Sequence, residues 1–553
     1  MKNSIRKLRA FVHKHPLLEF PVFFLWGLFT IIRAQKIFKR GGQHSEPSKN
    51  YTVIIPSVRT YPFPGLIYFE AIFAHAFQKC GAAVKLLFHD GMLASTDAET
   101  IYRTEKAQSL TAKLLGSWLK KALCLPHASY WDYVTQEDIH DIENTISALP
   151  ADKLTHMTYC GVEVGLHANA STIRYFLTGM INLSFHEHER IFRQRLRDAM
   201  ITALVAHRVV EKERPAVLFT LHGVYSTWGP FLDYFQSQKI DTVIYGLITS
   251  FFGHFIFCRN TRVSELTAPK SWEVFSTLAL TDEENKAVDD YFASRVKEES
   301  GEQQLYKARY EEKEPKHILM QKLGENSYVH RYIFYPNLAW DVAVAGSVSE
   351  IFEDLFDMID TLIAFFKEHS SYQLIIKPHP AELLWEDGTQ SISVYVHEKH
   401  NPLPDNIVLL SPDTPLNPYE LAQKTQAFGI TFNGTLGLEL PVLGIPTLVA
   451  SEKIHYAQAG VRFPIHSKED FIAALLHPDE LSAYTKNMQK KAKKYAYFLY
   501  IASTIPIPFY RKDTWSTLDW RVIREIEKLM DQSSPIIKIC HKIIQGEDIV
   551  NPL

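Results

Sequence analysis

Cysteine is scarce in this chain, and its placement carries no chemistry. Five cysteines, Cys80, Cys124, Cys160, Cys258 and Cys540, are scattered through 553 residues, odd in number and without paired metal-ligand spacing. That speaks against a disulfide framework and fits free thiols in a reducing cytoplasm. An excess of charge is lacking too. The 59 Lys and Arg stand against 62 Asp and Glu, so nothing favours a polyanion and nucleic acid is not an expected partner. No Asp-x-Asp occurs, and the 24 histidines form no His-x-x-x-His array with an acidic third ligand. His186 and His188, which flank Glu187, are expected on a solvated helix face. Neither a metal nor a cofactor is expected.

An apolar run long enough to cross a bilayer is also missing. The run 17–32 contains Glu19 and Pro21 and falls short of the ~20 residues a spanning helix needs. Arg33, Gln35 and Lys36 stand where a signal peptide would want small residues. Basic MKNSIRKLRAFVHKH precedes the run and KIFKRGG follows it, with Phe23, Phe24, Trp26 and Phe29 between. Such a pattern suits a helix lying in the interface of an anionic cytoplasmic leaflet. A helix packed on the protein's own core is the second reading and a single spanning anchor the third. The expected location is the cytoplasm, peripherally on the inner face of the membrane.

What the chain does have is a β/α rhythm at a length beyond a single core. The expected division is a membrane-associating segment 1–45, a first domain 50–295, a charged linker 296–316, a second domain 317–500, and helices 501–553 that pack back on the first domain. In the first domain VIIPS, PGLIYFEAIFAHAFQKCG and AAVKLLFHDG read as strand, helix and strand, which places Asp90 at a strand's carboxyl end or in its turn. Residues 95–150 read as helical. YCGVEVGLHANASTIRYFLTG reads as a glycine-rich loop holding His167, then a helix capped near Ser171 with Arg174 in its first turn. VLFTL then ends at His222 and Gly223, ahead of a helix containing Trp228 and Tyr234.

The second domain opens with RYIFYPNLAWDVAV, a strand that delivers Asn337 and Asp341 to a loop. Two further strands end in turns shaped for phosphate. QLIIKPHPAE carries Lys377, His379 and Pro380, with prolines holding the histidine in a stiff extended backbone. AFGITFNGTLGLELPVLGIPTLVA carries Asn433, Gly434, Thr435 and Glu439 on a turn and the helix that follows it. There glycine admits an anion close to the backbone and the helix directs its positive end at it. Between them NIVLLSPDTPLNPYEL supplies Ser411 at another strand end. Parallel β/α units collect ligands outside the carboxyl ends of their strands.

On HGVYSTWG, YPNLAWD, IIKPHPAE, SPDTPLNPYEL and NGTLGLELPVLGIPTLVASEKIHY, the chain resembles the bacterial capsule and surface polysaccharide biosynthesis proteins, which include transferases of 3-deoxy-manno-octulosonic acid. The resemblance implies an α/β protein of two Rossmann-like β/α/β domains facing a cleft, the type B glycosyltransferase architecture, preceded by the amphipathic, hydrophobic helix. It implies a sugar passed from a nucleotide-sugar donor to a growing polysaccharide or glycolipid acceptor. Lys377, His379, Pro380, Asn433, Gly434, Thr435, Asn337 and Ser411 would hold the donor, with Glu439 on its hydroxyls. Arg174 and His167 would hold the acceptor. The base stays open among His222, Asp90 and Asp341. Transfer of a polyol phosphate and a non-catalytic, membrane-attached assembly subunit are the alternatives.

Overall fold

Continuous apolar runs in this chain become strands buried on both faces, as parallel sheets covered by helices require. The computed structural model describes residues 16–41, 48–58, 64–97, 105–247, 251–262, 265, 268–299, 316–325, 328–341, 349, 351–385, 391–512 and 517–551. Strands within them are β1 (Ser48–Pro56), β2 (Ala82–Phe88), β3 (His127–Ser129), β4 (Val217–Leu221), β5 (Asp241–Leu247), β6 (His254–Arg259), β7 (His330–Tyr335), β8 (Tyr372–Ile376), β9 (Ile407–Leu409), β10 (Phe428–Thr431), β11 (Thr447–Val449) and β12 (Ile505–Pro506). They form a seven-stranded sheet ordered β12-β6-β5-β4-β1-β2-β3 and a five-stranded sheet ordered β11-β10-β7-β8-β9. The second sheet is parallel throughout. In the first, β6 runs antiparallel to β5, and β12 antiparallel to β6.

The two orders share one logic. Each sheet begins at a central strand, builds outward twice on one side, and then returns to the other side of that strand. The reversals fall between β1 and β4 and between β7 and β10. At such a reversal the crossover helices leave on opposite faces, and a crevice opens outside the carboxyl ends of the two strands. The protein is thus a mixed α/β molecule with two Rossmann-like sheets.

Aromatic packing holds the first sheet. Phe69, on the helix Pro64–Lys79, lies against Phe73, Tyr245 and Phe255 with ring centroids 4.6 to 4.7 Å away. Truncation of so buried a ring costs about 3–5 kcal/mol. The carboxyl-terminal residues complete this core: Ile505, Phe509, Ile536 and Ile543 join the cluster of Phe69 and Phe219. Among the described residues, contacts between the two halves include the following. Ile173 and Leu177, at the end of the helix Val164–Phe176, enter the core of the second sheet. Trp272 and Tyr291 pack with Leu438, Tyr456 and Tyr495.

The helix Pro16–Gly41 packs on the protein's own core, the second of the readings expected for it. Ile31, Ala34, Ile37 and Phe38 are buried in the core of the first sheet, while Leu25, Phe29 and Ile32 stay exposed. No helix among the described residues is long and apolar enough to cross a membrane.

Two local expectations need correction. The helix holding Arg174 begins at Val164, not near Ser171, so Arg174 lies in its last turn; Ser171 is buried mid-helix and accepts the Ser226 amide at 2.9 Å. Residues 95–150 contain the short edge strand β3 between the helices Glu105–Leu123 and Gln136–Ala148. The helix Leu355–Glu368, ahead of β8, is capped by the Asp354 carboxylate, which accepts the amides of Phe356 and Asp357. Residues 300–315 of the expected linker lie outside the described residues.

Candidate functional site

The carboxyl ends of β7 and β10 meet through two asparagines. Asn433, just past β10, donates its amide N–H to Asn337 Oδ1 at 3.3 Å, just past β7. The turn between Asn433 and its helix is tightly braced. Thr431 Oγ1 donates to Tyr335 O at 3.1 Å and accepts the Gly434 amide at 3.1 Å, and Tyr456 Oη donates to Gly434 O at 3.0 Å. A Cβ at Gly434 would lie 2.8 Å from Thr431 Oγ1, and one at Gly437 would lie 2.3 Å from Tyr456 Oη. Both glycines are therefore there for close approach. Thr435 is exposed at the start of the helix Leu436–Val442. That helix has only seven residues, so the aligned peptide dipoles expected to face an anion here are few.

β8, next to β7, contributes Lys377 and His379. Lys377 is 5% exposed, and its ammonium has no hydrogen-bond partner among the described residues. Burial pushes it down to about 8, with Glu298 opposing the shift. His379 is half-buried and accepts the Ala381 amide on Nδ1 at 3.1 Å. The neutral ring therefore carries its proton on Nε2, which becomes the donor. Burial first, and the Lys377 cation second, push this histidine down to about 4. It acts as a neutral donor near pH 7. Pro378 is buried beneath it, and Pro380 opens a 3-10 turn, Pro380–Trp385. Ser411 is exposed past β9, the edge strand. At about 4.8 Å per strand, the ends of β10, β7, β8 and β9 span roughly 14 Å.

Glu439 does not join this group. It is 1% exposed, and both its oxygens are taken: Tyr419 Oη donates at 2.5 Å, Tyr500 Oη at 2.9 Å, and Arg295 Nη2 lies 3.3 Å away. Arg295 also donates to Tyr419 Oη at 2.8 Å. The carboxylate expected to meet sugar hydroxyls is instead the centre of a buried network tying the helix Asp282–Val296 to the second sheet. A paired charge so buried has no spare acceptor for a ligand.

The first sheet presents His222 at its own reversal, just past β4, with the ring edge-on to Tyr225 and Trp228 at 5.1 Å each. Asp90 sits past β2 in a turn with φ 48° and accepts from Lys120 Nζ at 2.8 Å. Asp341 lies exposed past β7, on the second sheet. The three candidate bases thus come from three strand ends on two sheets. His167 is corrected more firmly. It is buried, with Nδ1 2.6 Å from Val224 O and Nε2 3.1 Å from Asp233 Oδ2, and a Cβ at Gly229 would lie 2.1 Å from its ring. It locks the 222–229 loop to the helix Val164–Phe176 and offers no edge to an acceptor. Arg174 stands two turns further along that helix, half-buried.

Two carboxylates at this edge escaped the sequence reading. Asp97 is buried and accepts from the Thr227 amide at 3.2 Å and the Thr227 hydroxyl at 2.7 Å, five residues past His222. Asp198, wholly buried in the helix His186–Glu213, accepts the amides of Ala94 and Ser95 at 2.9 Å each and so fixes the loop that carries Asp97. Burial, partly offset by Arg195, pushes Asp198 up to about 7. An aspartate on the apolar face of a long helix was the available signal. Among the described residues no cluster of His, Cys, Asp and Glu is grouped as a metal site requires.

No family model matches the chain, and no protein of curated function matches it in sequence. Solved structures that resemble it include a UDP-GlcNAc 2-epimerase from Neisseria meningitidis bound to UDP-GlcNAc, at 11% identity over 81% of this chain and 98% of that one, with a TM-score of 0.26. The calicheamicin glycosyltransferase CalG4 matches at 10% identity over 88% and 100%, TM-score 0.24. The wall teichoic acid polymerase TagF matches at 10% identity over 99% and 98%, TM-score 0.21. At such scores the shared geometry is too slight to assign this chain a fold or an activity.

Proposed function

We propose that the chain is a glycosyltransferase that moves a sugar from a nucleotide-activated donor to a surface polysaccharide or glycolipid acceptor, without a metal. The observation that carries this reading is the buried Lys377 ammonium, without a hydrogen-bond partner among the described residues, near the His379 Nε2 donor and the Asn337–Asn433 turn. A buried cation without a partner is unfavourable, and a donor phosphate bound there would supply the missing charge. Donors held in place before reaction and aimed at the leaving phosphate stabilise charge as it develops there. Lys377, His379, Asn433, Gly434 and Thr435 take that role, with Asn337, Pro380 and Ser411 along the same edge.

The acceptor hydroxyl enters from the side of the first sheet, where His222 is the favoured base because the Asp90 carboxylate is already bonded to Lys120. Arg174 borders that side. Closure of the two sheets on the substrates would exclude water and favour transfer over hydrolysis. The enzyme works at the inner face of the cytoplasmic membrane, held there peripherally by its amino-terminal segment.

Thermal stabilisation by CMP, UDP and GDP tests the reading on the wild type and on His379→Ala. One nucleotide is expected to stabilise the wild type and to lose that effect in the variant. Stabilisation by none of them sinks the reading. With the donor so identified, the product decides the reaction: a glycoside supports glycosyl transfer, a phosphodiester released with CMP selects polyol-phosphate transfer, and isomerised donor formed without acceptor selects an epimerase.

A further inference from the structure

Exposed apolar side chains gather on two helices that pack together, Pro16–Gly41 and Glu105–Leu123. On the first, Leu25, Trp26, Phe29 and Ile32 are exposed, Leu25 to 65% and Phe29 to 62%. On the second, Leu114 and Trp118 are exposed, Trp118 to 53%. Both helices bury their opposite faces in the same core: Ile31, Ala34, Ile37 and Phe38 from one, Leu115, Leu119, Ala122 and Leu123 from the other. Their outer faces therefore turn away from that core on the same side of the molecule.

Helical spacing orders each face. Leu25, Phe29, Ile32, Lys36 and Lys39 follow one stripe, apolar first and basic in its last turns, with Arg40 exposed beside it. Leu114, Trp118 and Lys121 follow the matching stripe of the second helix, again apolar and then basic. Exposed tryptophan and phenylalanine bordered by lysine and arginine fit the boundary between lipid headgroups and acyl chains. The basic rim fits anionic lipid. In sequence, residues 1–15 ahead of the first helix contain five Lys and Arg and no Asp or Glu. A second copy of the chain would bring the same basic rim against itself.

We infer that these two helices together form a docking face for an anionic bilayer, with Trp118 and Leu114 inserted beside Phe29 and Ile32. This rests on the membrane-side part of the proposed function and extends it to a second helix that showed no chemistry in the sequence. The face lies on the first sheet's domain, so docking there leaves the carboxyl edge of the second sheet free to take a donor from solution.

Co-sedimentation of the full chain with phosphatidylcholine vesicles, with and without phosphatidylglycerol, tests the face independently of catalysis. The wild type is expected to bind only the anionic vesicles, and less as salt rises. Phe29→Glu and Trp118→Glu are each expected to weaken binding at least tenfold while melting temperature and circular dichroism stay unchanged. Should Trp118→Glu melt early, Lys121→Glu on the same stripe carries the test. Three results overturn the inference: wild-type protein that stays in the supernatant, Trp118 and Lys121 variants that bind as well as wild type, or a wild-type dimer in gel filtration that Trp118→Glu dissolves.

Discussion

Lys377→Met distinguishes a ligand site from a structural lysine, because the two readings predict opposite signs for stability. Burial moves the ammonium from an ordinary 10.5 down to about 8. At about 1.4 kcal/mol per pH decade, holding it charged at neutral pH weighs against folding by about 3 kcal/mol. The direction follows from proton linkage. Below pH 8 both folded and unfolded chains carry the proton, so the full penalty is present. Between pH 8 and 10.5 the unfolded chain still holds the proton and the folded one does not, so stability rises with pH across that window. Methionine keeps the length of the side chain and removes the charge. The ligand-free variant should therefore be more stable than wild type at pH 7, by up to about 3 kcal/mol, with a melting point higher by as much as roughly 3 °C. Its stability should rise less between pH 8 and 10.5, and it should lose the stabilisation that the donor nucleotide gives the wild type. Calorimetry across that pH range, with and without nucleotide, reads all three. A variant that melts earlier than wild type, or that keeps its nucleotide response, refutes the argument.

His379, neutral near pH 7, should leave no inflection in kcat/KM between roughly pH 5.5 and 7; deprotonation of Lys377 should produce a falling limb near pH 8 that survives in His379→Asn but vanishes in Lys377→Met. Glu439→Gln leaves Arg295 buried without its counter-charge and should destabilise the protein by about 3–5 kcal/mol, with the surviving folded fraction still binding nucleotide by isothermal titration. Gly434→Ala forces a methyl group against Thr431 Oγ1 and should cost about 1–3 kcal/mol together with most of the nucleotide affinity; the double variant with Thr431→Ala should recover part of both.

The strand ends were legible because parallel strands leave unmistakable traces: VLFTL, QLII and FGIT are short, apolar, and stopped by Gly, Pro or Asn. The residues just past them, His222, Lys377, His379, Asn337 and Asn433, could therefore be placed on sheet edges before any coordinates. Nothing local announced β3, whose three residues contribute one buried side chain, or β12, two residues that pair with β6 from more than two hundred positions away. The start of the helix Val164–Phe176 was missed because no side chain caps it: Glu163 makes no capping bond, while Ser171 has the composition of a cap and sits mid-helix. Glu439 was misread for a related reason. Its three partners, Arg295, Tyr419 and Tyr500, come from three segments far apart in the chain, so its neutralisation is purely tertiary.

Glu439 and Lys377 together explain how a donor site can be told from a structural charge in this molecule. Both lie near the carboxyl edge of one sheet, and both are almost wholly buried. Glu439 is surrounded by donors on both oxygens, and so is Asp198 by the amides of Ala94 and Ser95. Arg259 likewise lies against Asp241 and donates to Ile543 O. Those groups brace helices and loops, and their environments are complete without a ligand. Lys377 has the same burial without that completion: among the described residues its ammonium has no hydrogen-bond partner, Glu298 offsets its burial only in part, and burial pushes its histidine neighbour toward the neutral form. A buried charge left in that condition lowers the stability of the empty protein, which is the arrangement expected where binding of an anion restores the balance. The motif around Lys377 is thus better read through its missing partner than through its sequence, and the sign of the Lys377→Met effect is the measurement on which that reading depends.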